Sequence, residues 1–401
     1  MDLAASDVRG PCPTREPIVS EPFKNLFDAR LVRDAAATLR RAEVGFDAAR
    51  FTRLASRGLD ALEMKARAMQ IADALEATLP DDFARAAPLI EAAMAPPEGG
   101  DAMAVLQGLQ TGLRGWILWP VGEFVARRGL AQPERALATL HALTQRFTAE
   151  FAIRPFIEDH PELALATLAR WTADPSPHVR RLVSEGSRPR LPWGLRLQSL
   201  VQDPSPTLPL LAALQDDPSD YVRRSVANHL NDIAKDHPQV VVDWLRTHLP
   251  GAPAPRRALL RHASRTLVKQ GHPGVMKAWG LGSAWRGEAV LTLTPRRVKL
   301  GDGITFTLQL RSNSARVQKL AVDYAVHHVK ADGSRTPKVF KGWTIELPAR
   351  GEATLVKRHS LRPVTTRRYH PGEHGLVVQV NGRPVAESTF ALVMPRPTRA
   401  R

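Results

Sequence analysis

The sequence predicts two architectures in series, a helical solenoid followed by an antiparallel β-sandwich, and three observations carry that prediction. Apolar residues recur at helical spacing from about Phe23 to Gly280, interrupted by short Pro, Gly and Asp signals. A motif in the middle of that stretch returns after 43 residues. Beyond Trp279 the apolar pattern changes to period two.

The N-terminal part reads as helices broken by turns. Phe46, Phe51, Leu54, Leu59 and Leu62 recur at helical spacing, and Ile71, Leu75 and Leu79 do so before Pro80. Met94 to Asp101 (MAPPEGGD) and Leu249 to Pro255 (LPGAPAP) are breaker-rich and are expected to be long turns within one domain. The repeat is Asp174-Pro-Ser-Pro-His-Val179-Arg180-Arg181, returning as Asp217-Pro-Ser-Asp-Tyr-Val222-Arg223-Arg224. That period lies in the HEAT/armadillo range of about 40–47 residues. Asp or Ser is expected to cap a helix start there, with Val beginning the apolar stripe. Asp159-His160-Pro161, Asp236-His237-Pro238 and Gly271-His272-Pro273 each predict the end of one helix and the start of another, because the residue before Pro leaves helical space. Helices joined this way stack into an α-solenoid of HEAT-like repeats.

The C-terminal part reads as strands. Ile304, Phe306, Leu308 and Leu310 alternate with polar neighbours, as do Val322, Tyr324 and Val326. Asp332-Gly333 and Asn381-Gly382 are two-residue hairpin signals. About seven short strands without a cysteine pair predict a sandwich of immunoglobulin type. The expected organisation is a poorly ordered tail over 1–22, a helical-repeat domain over 23–285, an Ig-like sandwich over 286–395 and a basic tail over 396–401.

Charge is the first functional clue. The 401 residues carry a formal net charge of +16, and it is unevenly spread. Residues 1–160 hold 19 Lys+Arg against 22 Asp+Glu, whereas the rest hold 37 against 18. Residues 286–401 alone hold 21 basic and 8 acidic side chains. Such a field attracts polyanions, and counterion release from a phosphate backbone supplies affinity without regard to sequence. The single cysteine, Cys12, rules out an intrachain disulfide and suits a reducing cytosol, so a cytoplasmic location is expected. No secretory signal and no stretch of about 18 apolar residues is present, so no membrane role is expected. The histidines form no H-E-x-x-H, and no phosphate-binding glycine loop or G-x-S-x-G occurs. Neither a metal nor a nucleotide cofactor is expected. A monomer is expected, since no long apolar seam is exposed by the pattern.

The chemistry lies on the polar faces of the repeat helices. Arg224, Asn228 and Asp232 follow at i, i+4, i+8 beside the apolar face of Val222, Val226, Leu230 and Ile233. One repeat earlier stand Arg181 and Glu185, and before them Arg146, Glu150 and Arg154 are read as a third such row. In a solenoid equivalent faces line one surface, so Glu150, Glu185 and Asp232 are expected to converge. The competing reading is a set of solvated ion pairs worth tenths of a kcal/mol each. Trp193 follows two prolines in the basic segment Arg188-Pro-Arg190-Leu-Pro. It either fills a gap between repeats or offers its face to a base or cation.

These residues carry a resemblance. Phe147-Thr-Ala-Glu150-Phe-Ala-Ile-Arg154-Pro-Phe, the segment from Val179 through Glu185 to Trp193, and the segment from Val222 through Asp232 to Pro238 together resemble the AlkC branch of the AlkC/AlkD HEAT-like-repeat DNA glycosylase superfamily. The likeness covers most of residues 23–280, and the trailing sandwich is similar to one subgroup of that branch. It implies a monofunctional glycosylase of base excision repair that removes cationic 3-methyladenine and 3-methylcytosine from double-stranded DNA without flipping the nucleotide. Carried over position by position, the catalytic residues would be Asp232, Glu185, Glu150 and Trp193. Arg154, Arg181, Arg188, Arg190 and Arg224 are expected at flanking phosphates. The alternative is a non-catalytic HEAT-repeat protein that binds nucleic acid or acts as an adaptor.

Overall fold

The computed structural model describes residues 23–97, 111–281, 284–364 and 367–394. Cys12, the two tails and the end of the MAPPEGGD turn lie outside the described residues. The described residues form two compact units, one of residues 23–97 and 111–152, the other of residues 153–281, 284–364 and 367–394.

The first unit contains α1 (Ala29–Ala42), α2 (Ala48–Ser56), α3 (Met64–Glu76), α4 (Phe83–Ala93), α5 (Leu118–Arg128) and α6 (Pro133–Thr144). Asp28, Asp47 and Asp82 cap α1, α2 and α4 by accepting backbone N–H groups of the first turn. Phe51, Ile71 and Leu75 are fully buried, as their spacing predicts. Gly58, in a left-handed conformation (φ +64°), ends the α2 stripe before Leu59, so Leu59 and Leu62 do not continue that helix.

One expected helix is absent. α6 ends at Thr144, and residues 145–153 form turns. Arg146, Glu150 and Arg154 are therefore not a helical row. Pro155 sits in the first turn of the next helix and forces a fresh start there. Phe147 and Phe151 instead pack from this turn onto Trp116 and Trp119, each with centroids 5.1 Å apart. Arg146 turns inward to donate to the carbonyls of Ala95 and Ala142.

The second unit begins with α7 (Arg154–Asp159), α8 (Pro161–Trp171), α9 (Pro177–Gly186), α10 (Gln198–Gln202) and α11 (Leu208–Leu214). It continues with α12 (Asp220–Ile233), α13 (Pro238–His248), α14 (Ala254–Ala263), α15 (Arg265–Lys269) and α16 (Pro273–Ala278). The three His-Pro signals open α8, α13 and α16, with Pro at the first helical position each time. The 43-residue repeat supplies α9 and α12. In both, the Asp carboxylate bonds the Ser N–H two residues on, Asp174 to Ser176 (2.8 Å) and Asp217 to Ser219 (2.9 Å). The aspartate therefore fixes the turn before the helix rather than capping the helix itself. The first Arg of each V-R-R folds back onto its own loop: Arg180 donates to the carbonyls of Asp174 and Pro175, and Arg223 to those of Asp217 and Pro218. Arg180 also bonds both carboxylate oxygens of Asp217 (2.6 and 3.0 Å), so the first loop is tied to the second. Val179, Leu182, Val183, Val222, Val226 and Leu230 are all 0% exposed, and burial of each is worth about 1.5–3 kcal/mol. α12 packs between α9 and α14.

The same unit ends in two sheets. One has the order β1 (Gly287–Thr294), β3 (Gly303–Ser312), β6 (Glu352–Ser360). The other has the order β2 (Arg297–Lys299), β8 (Arg383–Val393), β7 (Gly372–Val380), β4 (Gln318–Val329), β5 (Arg335–Leu347). Ile304, Phe306, Leu308 and Leu310 face Val322, Tyr324 and Val326 across the core, as alternation predicts. Asn381 and Gly382 (φ +51° and +76°) form the two-residue β7–β8 turn. Asp332 and Gly333 sit in a longer connection, closed by Lys330 N–H bonding the Ser334 carbonyl. β2 is the strand that period-two reading misses. It has only three residues and pairs in parallel with β8.

The sandwich is joined closely to the last helices. A Cβ on Gly382 would meet the Gly271 Cα at 2.1 Å, so the two backbones touch only because both positions are glycine. Met276, Leu281 and Ala321 bury together, with Val268 and Trp279 against them.

Candidate active site

The site is assembled by α9, α12 and the loop between α9 and α10. Glu185 lies on the last turn of α9 and Asp232 on the last turn of α12, one repeat apart. Both are buried, at 6% and 2% exposure, and they are joined by one guanidinium. Arg188 Nη1 donates to Glu185 Oε1 (2.5 Å), while Nε donates to Asp232 Oδ2 (2.7 Å), with Nη2 also 2.7 Å from that oxygen. Two buried carboxylates this close would repel strongly, and the cation between them removes that penalty.

The remaining oxygens are also engaged. Ser225 Oγ donates to Glu185 Oε2 (2.6 Å), and Lys235 Nζ donates to Asp232 Oδ1 (2.7 Å). Burial pushes the Glu185 carboxyl up, but Arg181, Arg188 and the Ser225 hydroxyl outweigh it and hold it below the usual value. Glu185 is therefore a carboxylate at neutral pH. Beside the pair lies His229, fully buried, with Nδ1 2.9 Å from the Ser184 carbonyl. Burial lowers its pKa to about 4, so the ring is neutral, and its N–H to Ser184 pins α12 to α9.

Trp193 is 67% exposed, uncommon for so large an apolar ring, and its backbone is left-handed (φ +67°). The loop that presents it is fastened from three sides. Arg188 holds it through Asp232, and Arg190 forms a two-pronged pair with Asp236 just beyond α12 (2.6 and 2.7 Å). From beneath, Arg154 donates to the Leu195 carbonyl (2.5 Å) and to the Gly186 carbonyl (2.8 Å). Gly194 lies against it; a Cβ there would meet the Arg154 side chain at 3.3 Å.

This changes several expected roles. Arg154 is 0% exposed and cannot reach a phosphate; it is an internal clamp on the Trp193 loop. Arg188 is likewise buried and bridges the two acids. Arg190 is committed to Asp236. Arg181 lies over the Tyr221 ring (4.9 Å) and 3.8 Å from Glu185. Of these five arginines Arg224 is the one left in solvent, its side chain 70% exposed and paired with Asp220. Glu150 belongs to the first compact unit, where Thr148 Oγ1 donates to it (2.6 Å). Sequence reasoning missed Ser225, His229 and Lys235. Only Lys235 left a signal, its i+3 spacing from Asp232. A further pair faces the same side of α12: Asn228 Oδ1 accepts from Arg265 (3.1 Å) and lies 2.9 Å from His262 Nε2.

Among the described residues no group of three His, Cys, Asp or Glu side chains could hold a metal ion, and no helix is long and apolar enough to cross a membrane.

Comparison with known proteins agrees with this architecture. The family of DNA alkylation repair enzymes matches residues 146–267, and the C-terminal Ig-like domain of the uncharacterised protein YhaZ matches residues 288–394. The uncharacterized protein YhaZ of Bacillus subtilis (strain 168) is 38% identical over 298 residues, which cover 72% of this chain and 80% of that protein. The structure of Pseudomonas fluorescens alkylpurine DNA glycosylase AlkC, bound to DNA containing an abasic site analog, is 34% identical with a TM-score of 0.83. That likeness covers 92% of this chain and 99% of the other.

Proposed function

The chain belongs to the AlkC branch of the AlkC/AlkD DNA alkylation-repair superfamily, in the subgroup with a C-terminal Ig-like domain, and from that premise we propose that it is a monofunctional DNA glycosylase acting on cationic alkylated bases. Its substrates would be 3-methyladenine and 3-methylcytosine in double-stranded DNA, attacked without flipping the nucleotide, by a cytoplasmic monomer. The observation that supports this most is Arg188 held between Glu185 and Asp232 beside an exposed tryptophan.

The residues suit the reaction. An N3-alkylated base already carries positive charge, so its bond to C1′ breaks with the electron pair leaving on the base, which departs neutral. No acid need protonate it. What remains is a sugar with oxocarbenium character and a water to be delivered to C1′. Asp232 is the group for both tasks: its negative charge stabilises the sugar, and it accepts the proton that the attacking water gives up. Lys235, its side chain 43% exposed, would exchange the Asp232 carboxylate for a DNA phosphate, freeing Oδ1. Glu185, kept charged by Arg181 and Arg188, favours a cationic base over a neutral one. By the same resemblance Glu150 is a catalytic candidate, and Trp193 would flank the lesion with its ring. Arg181 and Arg224 remain the candidates for flanking phosphates. The sandwich, which carries much of the positive charge, would hold the duplex as well.

A non-catalytic repeat protein is the second reading, and one observation favours it: Asp232 is 2% exposed with both oxygens ion-paired. The two separate cleanly. Duplex DNA and RNA carrying 3-methyladenine or 3-methylcytosine are incubated with the protein, and free base is measured by chromatography. Release from DNA, and not from RNA, is expected. An absence of free base from every DNA substrate, with the duplex still bound, would leave only the binding role.

A further inference from the structure

The last repeat helices and the sandwich enclose a cleft of about 250 Å³. Its floor is apolar, formed by Val268, Trp279, Leu281 and Ala321, with Trp343 and Ile345 at its edge, where they also pack against the sandwich core. Its rim is basic: Arg257, Arg261, Arg265 and Lys269 come from α14 and α15, and Lys319 and Lys341 come from the strands. Two acids stand among them. Glu346 is paired with Lys319 (3.3 Å), and Asp323 accepts the Gly342 N–H (3.0 Å). The rim is thus left with an excess of cations over anions.

The same residues pair rings with cations. Arg257 and Arg261 lie 5.8 and 5.9 Å from the Trp279 ring centroid, and Arg261 donates to Thr344 Oγ1 (2.8 Å) across the junction. Trp343, at the edge of the cleft, packs edge-on against Phe306 of the sandwich core (centroids 6.0 Å). Lys357 lies 5.2 Å from the Trp343 ring, and Lys338 lies 5.6 Å from Phe340, which stacks on Tyr324. Arg265, on the cleft wall, reaches Asn228, one turn before Asp232, so the cleft adjoins the face that carries the acids.

A ligand must answer both halves of this surface. A bare anion would pair the cations and leave Trp279 and the apolar floor in water. A neutral ring would cover the floor and leave the cations unanswered. A flat heterocycle carrying a phosphate satisfies both, because aromatic stacking tolerates any base and the basic rim takes the phosphate. We propose that this cleft binds a nucleotide, with the base over the Trp279 floor and the phosphate among Arg257, Arg261 and Lys341. The nucleotide comes either from an unpaired stretch of a DNA strand or from solution. The site is built from residues other than Glu185 and Asp232, so it stands apart from base release.

The full-length protein is titrated by calorimetry with dAMP, a single-stranded tetradeoxyadenylate, deoxyadenosine and inorganic phosphate at one ionic strength. One-site binding of dAMP or of the tetranucleotide is expected, at least about tenfold tighter than deoxyadenosine or phosphate. Lys341→Glu and Arg257→Glu, both at exposed positions, are each expected to weaken it about tenfold with the thermal midpoint unchanged. Binding of the tetranucleotide alone supports the proposal with a DNA strand as the source, and equal binding of dAMP supports it with a free nucleotide. The proposal is overturned by the lack of saturable binding of either probe, by phosphate binding as tightly, or by affinity that neither charge reversal changes.

Discussion

Replacing Arg188 with methionine tests the arrangement at its centre. The side chain donates one hydrogen bond to Glu185 and one to Asp232, with a second nitrogen 2.7 Å from the same Asp232 oxygen, and it is 10% exposed. Removing one member of a buried ionic cluster costs about 3–5 kcal/mol, because the partners are left charged in a low-dielectric site. Here Lys235 still holds Asp232, while Ser225 and Arg181 still hold Glu185, so the lower end, about 3 kcal/mol, is expected. The pH dependence gives a sharper signature. In the parent, the lowered Glu185 carboxyl adds stability that is present above its unfolded pKa of about 4.3 and is lost only as pH falls through the folded value. In Arg188→Met, burial is opposed by fewer charges, so the carboxyl lies higher than in the parent. The stability gap between variant and parent should therefore be widest at neutral pH and narrow on acidification, as the variant protonates Glu185 first. Urea unfolding, with hydrogen exchange following α9 and α12, reads both effects. A loss below about 0.5 kcal/mol, or a gap that does not change with pH, refutes the reasoning.

Two more outcomes follow from the same physics. Arg154→Leu leaves the Leu195 and Gly186 carbonyls without their buried donor, so it should cost about 2–4 kcal/mol and loosen the Trp193 loop, seen as faster amide exchange over 187–195; protection equal to the parent's would contradict the clamp. In the sandwich, burial first and Arg367 next hold His328 at about 3, while burial holds His359 at about 4, so both are neutral when folded. Their unfolded value is about 6.5, so this stability is complete above that pH and declines as pH falls towards the folded values, by about 2 kcal/mol per histidine at pH 5. Exchange from β4 and β6 after correction for intrinsic rate checks this, and equal opening energies at pH 7 and pH 5 would rule it out.

Much of this architecture was legible because it is local. The returning D-P-S and V-R-R segments, the three His-Pro boundaries and the alternation in β3 and β4 each specify their own geometry. Phase along α12 also placed Asp232 beside the apolar stripe. What failed was non-local. The row through Arg146, Glu150 and Arg154 looked helical by spacing alone, but Pro155 restarts the helix and the two phenylalanines prefer the Trp116 and Trp119 rings. Arginines beside acidic residues read equally well as phosphate ligands or as internal clamps. Only burial separates them, and it sends Arg154 and Arg188 inward while Arg224 stays in solvent. The link from Arg188 to Asp232 spans one repeat and leaves no mark in either segment.

The most direct measurement is single-turnover release of 3-methyladenine from duplex DNA by the parent protein beside Asp232→Asn and Glu185→Gln. Loss of roughly 10²–10⁴-fold in rate is expected for Asp232→Asn, with duplex affinity retained, and a smaller loss for Glu185→Gln. If Asp232→Asn releases base as fast as the parent, the carboxylate pair bridged by Arg188 is not where the glycosidic bond breaks.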